Sequence, residues 1–282
     1  MTTQQLIAAY TEPTYDDLPI GPYLARIGYT GPVVPTIAVL NALQSLHNES
    51  VPYENLDIMA GVPLSLEIPD IYDKVVTRGR GGYCFELNGL FAWLLRRVGY
   101  GVTEHFARYL RDEPALPMRR HRVLLVEAVG ETYLCDVGIG SCVPTFPLRF
   151  EPYIEQPQRT DIYRIIPDET LGHVVEEKRH GLSPAGDAWL PLFSFTMERQ
   201  FGALDFLATS WYCESHPDSV FRRANMVSMR TPTGRKTLEG RTYKVFDGNT
   251  VAVTEAADDR EFHALLQQYF GIGYLGARRS TK

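Results

Sequence analysis

The sequence predicts an α+β protein whose helical and strand regions follow one another instead of alternating. Three observations carry this. Apolar residues recur at helical spacing through the first ninety-odd residues. From about residue 102 the pattern changes to short runs rich in β-branched and aromatic residues, set apart by Gly and Pro. A mixed region with helical and strand segments follows the β-rich part. That order does not fit repeating strand–helix–strand units.

The elements follow in order. Within 36–47, Ile37, Leu40, Leu43 and Leu46 fall every three residues, on one helix face, and Pro52 ends the run. A short helix is expected over 69–76, opened by Pro69. A glycine-rich turn, 78–82, leads into a strong helix over 84–98. Its apolar side carries Leu87, Leu90, Phe91, Leu94, Leu95 and Val98, and Gly99 stops it. Strands are expected over 102–110, 121–129, 132–139 and 189–197. Residues 151–187, rich in Pro, Asp, Glu and Gly, read as loops between strands. A helix is expected over 205–214, strands over 241–246 and 250–255, and a last helix over 259–270. That helix has Phe262, Leu265, Leu266 and Tyr269 at helical spacing. The last seven residues read as a frayed tail.

Composition excludes several function classes. At 282 residues the chain suits two or three small cores packed together. A net charge of −6 argues against a nucleic-acid binder, so an anionic ligand needs a local basic patch. The first residues lack a positive region followed by an apolar core, and no apolar run is long enough to span a membrane. A cytoplasmic location is the expectation. The cysteines are Cys84, Cys135, Cys142 and Cys213. They form no C-x-x-C pair, so free thiols are expected and a metal site is not.

Cys84 stands apart from the others. It follows Gly79, Arg80, Gly81, Gly82 and Tyr83 and opens the helix over 84–98. The glycines permit close approach of a substrate to the backbone. Unpaired N–H groups at a helix start favour a thiolate and can hold an oxyanion. Arg78 and Arg80 stand close enough in sequence to add positive charge. A phosphate-binding loop is excluded, because no Lys-Ser or Lys-Thr follows at the required spacing. The competing reading is a buried, inert cysteine at the start of a core helix.

A thiolate nucleophile needs a base, and the base needs an orienting acceptor. His121 opens one expected strand and Asp136 closes the next. With Val129 and Gly130 as a two-residue turn, Ala128 pairs with Glu131 and Val123 falls opposite Asp136. His121 then shares a face with Val123 and becomes a diagonal neighbour of Asp136. A register slip of one residue would separate them. Singly, such a His or Asp is more often structural.

Several segments together resemble the arylamine N-acetyltransferase family. Residues 80–91 (RGGYCFELNGLF) are similar to its nucleophile motif, and 51–58 (VPYENLDI) to its Pro-aromatic-Glu-Asn-Leu segment. Residues 121–126 (HRVLLV) resemble its catalytic-histidine strand, and 135–140 (CDVGIG) its Asp-Val-Gly-Phe-Gly run. Residues 215–221 (SHPDSVF) resemble a stretch of its bacterial members. The resemblance implies an N-terminal helical bundle (1–98), a central β-barrel (99–204) and a C-terminal α/β lid (205–282) around a papain-like cysteine-enzyme core. It implies ping-pong acetyl transfer from acetyl-CoA, the co-substrate, to an arylamine, arylhydrazine or N-arylhydroxylamine, with no permanently bound cofactor. Cys84 matches the nucleophile, His121 the base and Asp136 the orienting acid. Glu54 and Arg80 match a buried pair bracing the nucleophile loop. Gly140 and Ser219 match CoA-contacting regions, and Arg222, Arg223, Arg235 and Lys236 are candidates for CoA phosphates.

The chain departs from the pattern at Ile139, where the family has Phe in the acceptor pocket, and at Arg120, where a small residue is usual. Ile139 favours an alternative, a related acyltransferase or amide synthase with another acyl donor. A papain-like hydrolase would share the nucleophile and base, but papain-type signatures around the cysteine are absent. A catalytically dead binding protein would show no thiol reactivity.

Overall fold

The apolar stripes read from the sequence fold as helices and pack on one another before any long strand begins. The computed structural model describes residues 2, 5, 13–179, 188–248 and 250–273. Its first helices are α1 (Ile20–Arg26), α2 (Ile37–Ser50), α3 (Leu56–Met59), α4 (Ile68–Tyr72) and α5 (Cys84–Val98). Thr36 caps α2, its hydroxyl oxygen accepting from the Val39 N–H at 3.3 Å. Pro69 lies in the first turn of α4, which continues through one π turn, Asp73–Thr77. Gly99 ends α5 with a φ of +109°, a conformation that favours glycine. Tyr23, Leu40, Leu43, Leu90, Phe91 and Leu94 join these helices in one core.

Strands follow. A two-residue strand, β1 (Tyr53–Glu54), lies among the helices. Then come β2 (Gly101–Tyr109), β3 (His121–Ala128), β4 (Glu131–Cys135), β5 (Leu148–Arg149), β6 (Gln156–Pro157), β7 (Asp161–Asp168), β8 (Gly172–Arg179) and β9 (Leu190–Gln200). Strands β2–β9 form an antiparallel sheet in the order β5-β4-β3-β2-β9-β8-β7-β6, curled into a nearly closed barrel.

Two glutamines bridge its ends. Gln156 accepts from the Arg149 N–H at 2.8 Å and donates to the Arg149 carbonyl at 3.0 Å. Gln158 does the same with Phe146, at 2.9 and 2.8 Å. Val123, Leu125, Tyr163, Ile165, Val175 and Phe193 share the barrel core, while Leu124 and Val126 belong to the helical core. β3 therefore buries both faces, which is why its sequence is almost continuously apolar.

The remaining elements are α6 (Gly202–Ser215), β10 (Met226–Thr231), β11 (Gly234–Glu239), β12 (Thr242–Asp247), β13 (Thr250–Glu255) and α7 (Asp259–Leu265), which ends in a π turn, Leu266–Phe270. The second sheet runs β1-β10-β11-β12-β13, so β1 ties this C-terminal α/β layer to the helical region. No helix among the described residues is long and apolar enough to cross a membrane.

The loop expectation for 151–187 is corrected. Three strands lie there, β6, β7 and β8, and only 180–187 fall outside the described residues. The polar composition misled because Asp161 and Glu177 are buried beside arginines: Arg230 pairs with Asp161 at 3.2 Å and Arg111 with Glu177 at 3.0 Å. The helix expected over 205–214 begins three residues earlier, at Gly202. The tail after residue 273 lies outside the described residues.

Two stability predictions follow. Val129 and Gly130 have φ of +53° and +78°, the geometry of a type I′ hairpin turn. A β-branched residue is strained there, and Val129 is 79% exposed. Val129→Asn is expected to raise stability by about 1 kcal/mol, measured as an increased urea midpoint with unchanged slope. His47 is fully buried, and burial pushes its imidazole down to about 3, with Arg26 adding to the shift. The folded pKa lies below the unfolded one, so stability is full above about pH 6.5 and declines as pH falls through that window toward 3. His47→Gln is expected to remove up to about 1.4 kcal/mol per pH unit of that slope. Urea titrations between pH 4 and 7 with equal slopes for both proteins would refute this.

Candidate active site

The glycine turn before α5 is shaped by what lies against it. Gly79 has a φ of +66°. Gly81 packs so closely on the Pro52 carbonyl that a Cβ there would collide with it. Gly82 accepts from the Glu54 N–H at 2.8 Å, which fixes the turn to β1.

Beneath it lies a cluster of charged side chains. Arg80 donates to Glu54 at 2.9 Å and to Asp57 at 3.0 Å. Lys74 lies 2.8 Å from Glu86 and 2.9 Å from Asp57. Burial favours neutral Lys74, but Glu86, Glu54 and Asp57 outweigh it and raise its pKa. Burial, with Glu54 adding, raises Glu86 despite Lys74, and at Asp57 the two cations outweigh burial and hold the carboxyl down. Glu86 also accepts from the Tyr83 N–H at 3.1 Å, capping α5 from its third position. Arg80 thus faces Glu54 and Asp57, and Arg78 faces Asp73 at 2.8 Å. Neither serves the thiol as the sequence suggested.

Cys84 is the first residue of α5 and is 2% exposed. Its Sγ lies 3.5 Å from the Arg120 carbonyl. Burial pushes the thiol well above its usual range, with Cys213 and Asp136 adding to the shift. The backbone N–H groups of Phe85 and Arg122 oppose it. The lowered thiol expected from the helix terminus is therefore corrected: desolvation exceeds the pull of the N–H groups. A thiolate here needs a cationic partner.

His121 and Asp136 meet as the hairpin register requires. Pairing runs from Ala128↔Glu131 to Leu124↔Cys135, and Asp136 follows directly. His121 Nε2 lies 2.7 Å from Asp136 Oδ2, and the imidazole rests against the Phe193 ring at 5.7 Å between centroids. The second carboxylate oxygen, Oδ1, accepts from Asn88 Nδ2 at 2.9 Å and from the Gly138 N–H at 2.7 Å. Asn88 also accepts from the Val137 N–H at 2.9 Å and donates to the Arg122 carbonyl at 2.5 Å. It lies one turn after Cys84, so α5 carries both the thiol and the group that holds Asp136. Gly138 packs on Cys84, where an added Cβ would lie 2.8 Å from its Cα. Sequence reasoning missed Asn88. Its signal was a lone amide between Leu87 and Leu90 in the apolar middle of the helix, where it is fully buried.

The other candidates are dispersed. Gly140 takes a φ of +61° against Ser228 and Tyr53. The Ser219 hydroxyl is buried, donating to the Cys213 carbonyl at 2.5 Å and accepting from the Phe221 N–H at 3.3 Å. Ile139 and Cys142 pack against the barrel core. Arg120 pairs with Glu113. Arg222 and Arg223 are exposed, and Arg222 donates to the Ser215 carbonyl at 2.5 Å. Arg235 stacks on Phe246 at 4.1 Å, and Lys236 lies 5.5 Å from the Phe270 centroid.

The N-acetyltransferase family profile matches residues 36–277. The arylamine N-acetyltransferase of Mycobacterium tuberculosis strain H37Rv is 36% identical over 89% of this chain and 88% of that protein. This chain belongs to the arylamine N-acetyltransferase family. Among solved structures, that of arylamine N-acetyltransferase from M. tuberculosis superposes with a TM-score of 0.84 at 34% identity, covering 92% of this chain and 97% of that one. The Mycobacterium marinum arylamine N-acetyltransferase in complex with CoA superposes at 0.82 with 33% identity, covering 90% of this chain and 93% of that one. The family is one of acyltransferase enzymes, and the helical bundle, barrel, α/β lid and papain-like core are its architecture.

The charged cluster generates a third prediction. Lys74→Met leaves Glu86 and Asp57 without their shared cation and is expected to cost about 3–5 kcal/mol. Urea unfolding at pH 7 measures it, and a loss below about 1 kcal/mol would show that the cluster does not depend on Lys74.

Proposed function

We propose that this arylamine N-acetyltransferase family member transfers an acetyl group from acetyl-CoA to an arylamine, arylhydrazine or N-arylhydroxylamine through a thioester on Cys84. The observation that carries the reading is the continuous link from Cys84 along one turn of α5 to Asn88, then to Asp136 and His121. With Nε2 directed at Asp136, Nδ1 is the ring nitrogen left to take the thiol proton. Burial makes an isolated thiolate costly, so the reactive form is a thiolate–imidazolium pair.

In the first half-reaction the Cys84 thiolate attacks the acetyl carbonyl. The carbon–sulfur bond to CoA breaks, and the CoA thiolate takes the proton from His121. In the second, the amine attacks the Cys84 thioester, His121 accepts the amine proton, and the Cys84 thiolate leaves. Asp136 holds the imidazole in one tautomer and stabilises its cation. The aromatic cluster of Tyr83, Phe85, Phe206 and Phe221 around Cys84 favours aminolysis over hydrolysis by keeping water scarce, and the backbone N–H groups of Phe85 and Arg122 favour the thiolate. The CoA-bound M. marinum relative supports CoA as the carrier. The exposed Arg222 and Arg223 remain candidates for its phosphates.

The test is intact and peptide mass spectrometry after mixing the protein with acetyl-CoA alone. One acetyl adduct on Cys84 is expected, absent from a folded Cys84→Ala variant that also loses turnover. No adduct on a cysteine that iodoacetamide still alkylates rapidly would point to a different acyl donor. Near-normal turnover by Cys84→Ala would end the nucleophile assignment.

A further inference from the structure

Strand pleating sends His121 and Arg122 to opposite faces of β3. His121 faces the site with Val123 and Leu125, whereas Arg122 follows Leu124 and Val126 onto the helices. The Arg122 side chain is 3% exposed. Its Nη1 donates to the Phe85 carbonyl, in the first turn of α5, at 2.9 Å. Its Nη2 pairs with the fully buried Glu104 carboxylate, which Arg96, in the last turn of α5, also reaches at 2.9 Å. The guanidinium lies 4.6 Å from the centroid of the Phe206 ring of α6. Across from it is Gly89, where a Cβ would sit 2.6 Å from Nη1. The Arg122 carbonyl accepts from Asn88, and its backbone N–H opposes the burial that raises the Cys84 thiol. One residue therefore joins the strand that carries His121 to the helix that carries Cys84, through backbone and side chain together.

We propose that Arg122 is a positioning residue that sets the separation and angle between Cys84 and His121, with Gly89 providing the gap its guanidinium needs. The proposal rests on reading Cys84 and His121 as the reacting pair. Lysine cannot replace it fully. The planar fork reaches Phe85 and Glu104 at once while its guanidinium carbon lies over the Phe206 ring, and an ammonium has no plane to stack and no fixed fork. A displacement near 1 Å in such a pair changes rates by about a hundredfold.

The test follows the pH dependence of Cys84 alkylation by iodoacetamide, alongside kcat and KM for acetyl-CoA and the urea midpoint. Arg122→Gln is expected to move the alkylation midpoint upward and to lower kcat about 10- to 100-fold, with KM within about twofold. Arg122→Lys should recover part of both changes. Gly89→Ala keeps every charge but displaces the guanidinium, and should shift the alkylation profile in the same direction, which keeps the proposal testable if Arg122→Gln does not fold. A folded Arg122→Gln or Gly89→Ala protein with the wild-type alkylation profile and kcat, changed only in its urea midpoint, would overturn the proposal. Alkylation needs no acyl donor. If the wild-type protein fails to take acetyl from acetyl-CoA while the variants still shift the profile, the donor assignment falls and the positioning role stands.

Discussion

The Asp136 carboxylate is the joint on which the site depends. It lies just beyond the last pair of the β3–β4 ladder, accepts from the imidazole of β3 on one oxygen, and accepts from Asn88 of α5 and from the next turn of its own chain on the other. A buried carboxylate in an apolar surround is tolerated only when its lone pairs are met. The bonds that satisfy Asp136 bring strand and helix together, so electrostatic necessity and the geometry of the proposed site are met by the same contacts. Gln44 extends the arrangement: it accepts from the Asp136 N–H at 3.3 Å and donates to the Pro144 carbonyl at 3.0 Å, anchoring the following loop to α2.

The charged cluster under the glycine turn works differently. Glu54, Asp57 and Glu86 face Lys74 and Arg80 in space from which most water is excluded. Such a cluster contributes little net stability against an apolar replacement, because desolvation offsets attraction. Its value is directional. Glu86 caps α5 and Glu54 accepts from the Leu56 N–H at 2.8 Å, so each carboxylate also fixes a backbone segment next to Cys84. Asn55 adds a neutral anchor, donating to the Phe221 and Ala224 carbonyls at 2.8 Å each, and β1 with Asn55 binds the C-terminal layer directly to this turn.

Much of this was legible in the sequence because it depends on local periodicity. The helix over 84–98 and the Val129–Gly130 hairpin follow from spacing and turn chemistry, and the hairpin register alone puts His121 beside Asp136. What escaped depends on partners remote in sequence. Asp161 and Glu177 made strands look like loops because their arginines, Arg230 and Arg111, lie 69 and 66 residues away by number. Arg80 looked like a cation for the thiol until Glu54 and Asp57 were seen to hold it. The burial that raises the Cys84 thiol comes from Tyr83, Phe85, Phe206, Phe221 and their neighbours, which helix-terminus reasoning does not contain.

The glutamine bridges at the barrel seam have a mechanical consequence. A backbone ladder fixes neighbouring strands at about 4.8 Å, so a barrel closed by ladders alone has a girth set by its strand number and stagger. An amide at the end of a three-bond side chain spans a wider and variable interval while offering the same donor and acceptor pair. Gln156 and Gln158 therefore act as side-chain clasps. They meet the hydrogen-bonding needs of the edge at Phe146 and Arg149, leave less bare edge for a foreign strand to join, and free the seam from the spacing that a backbone ladder imposes.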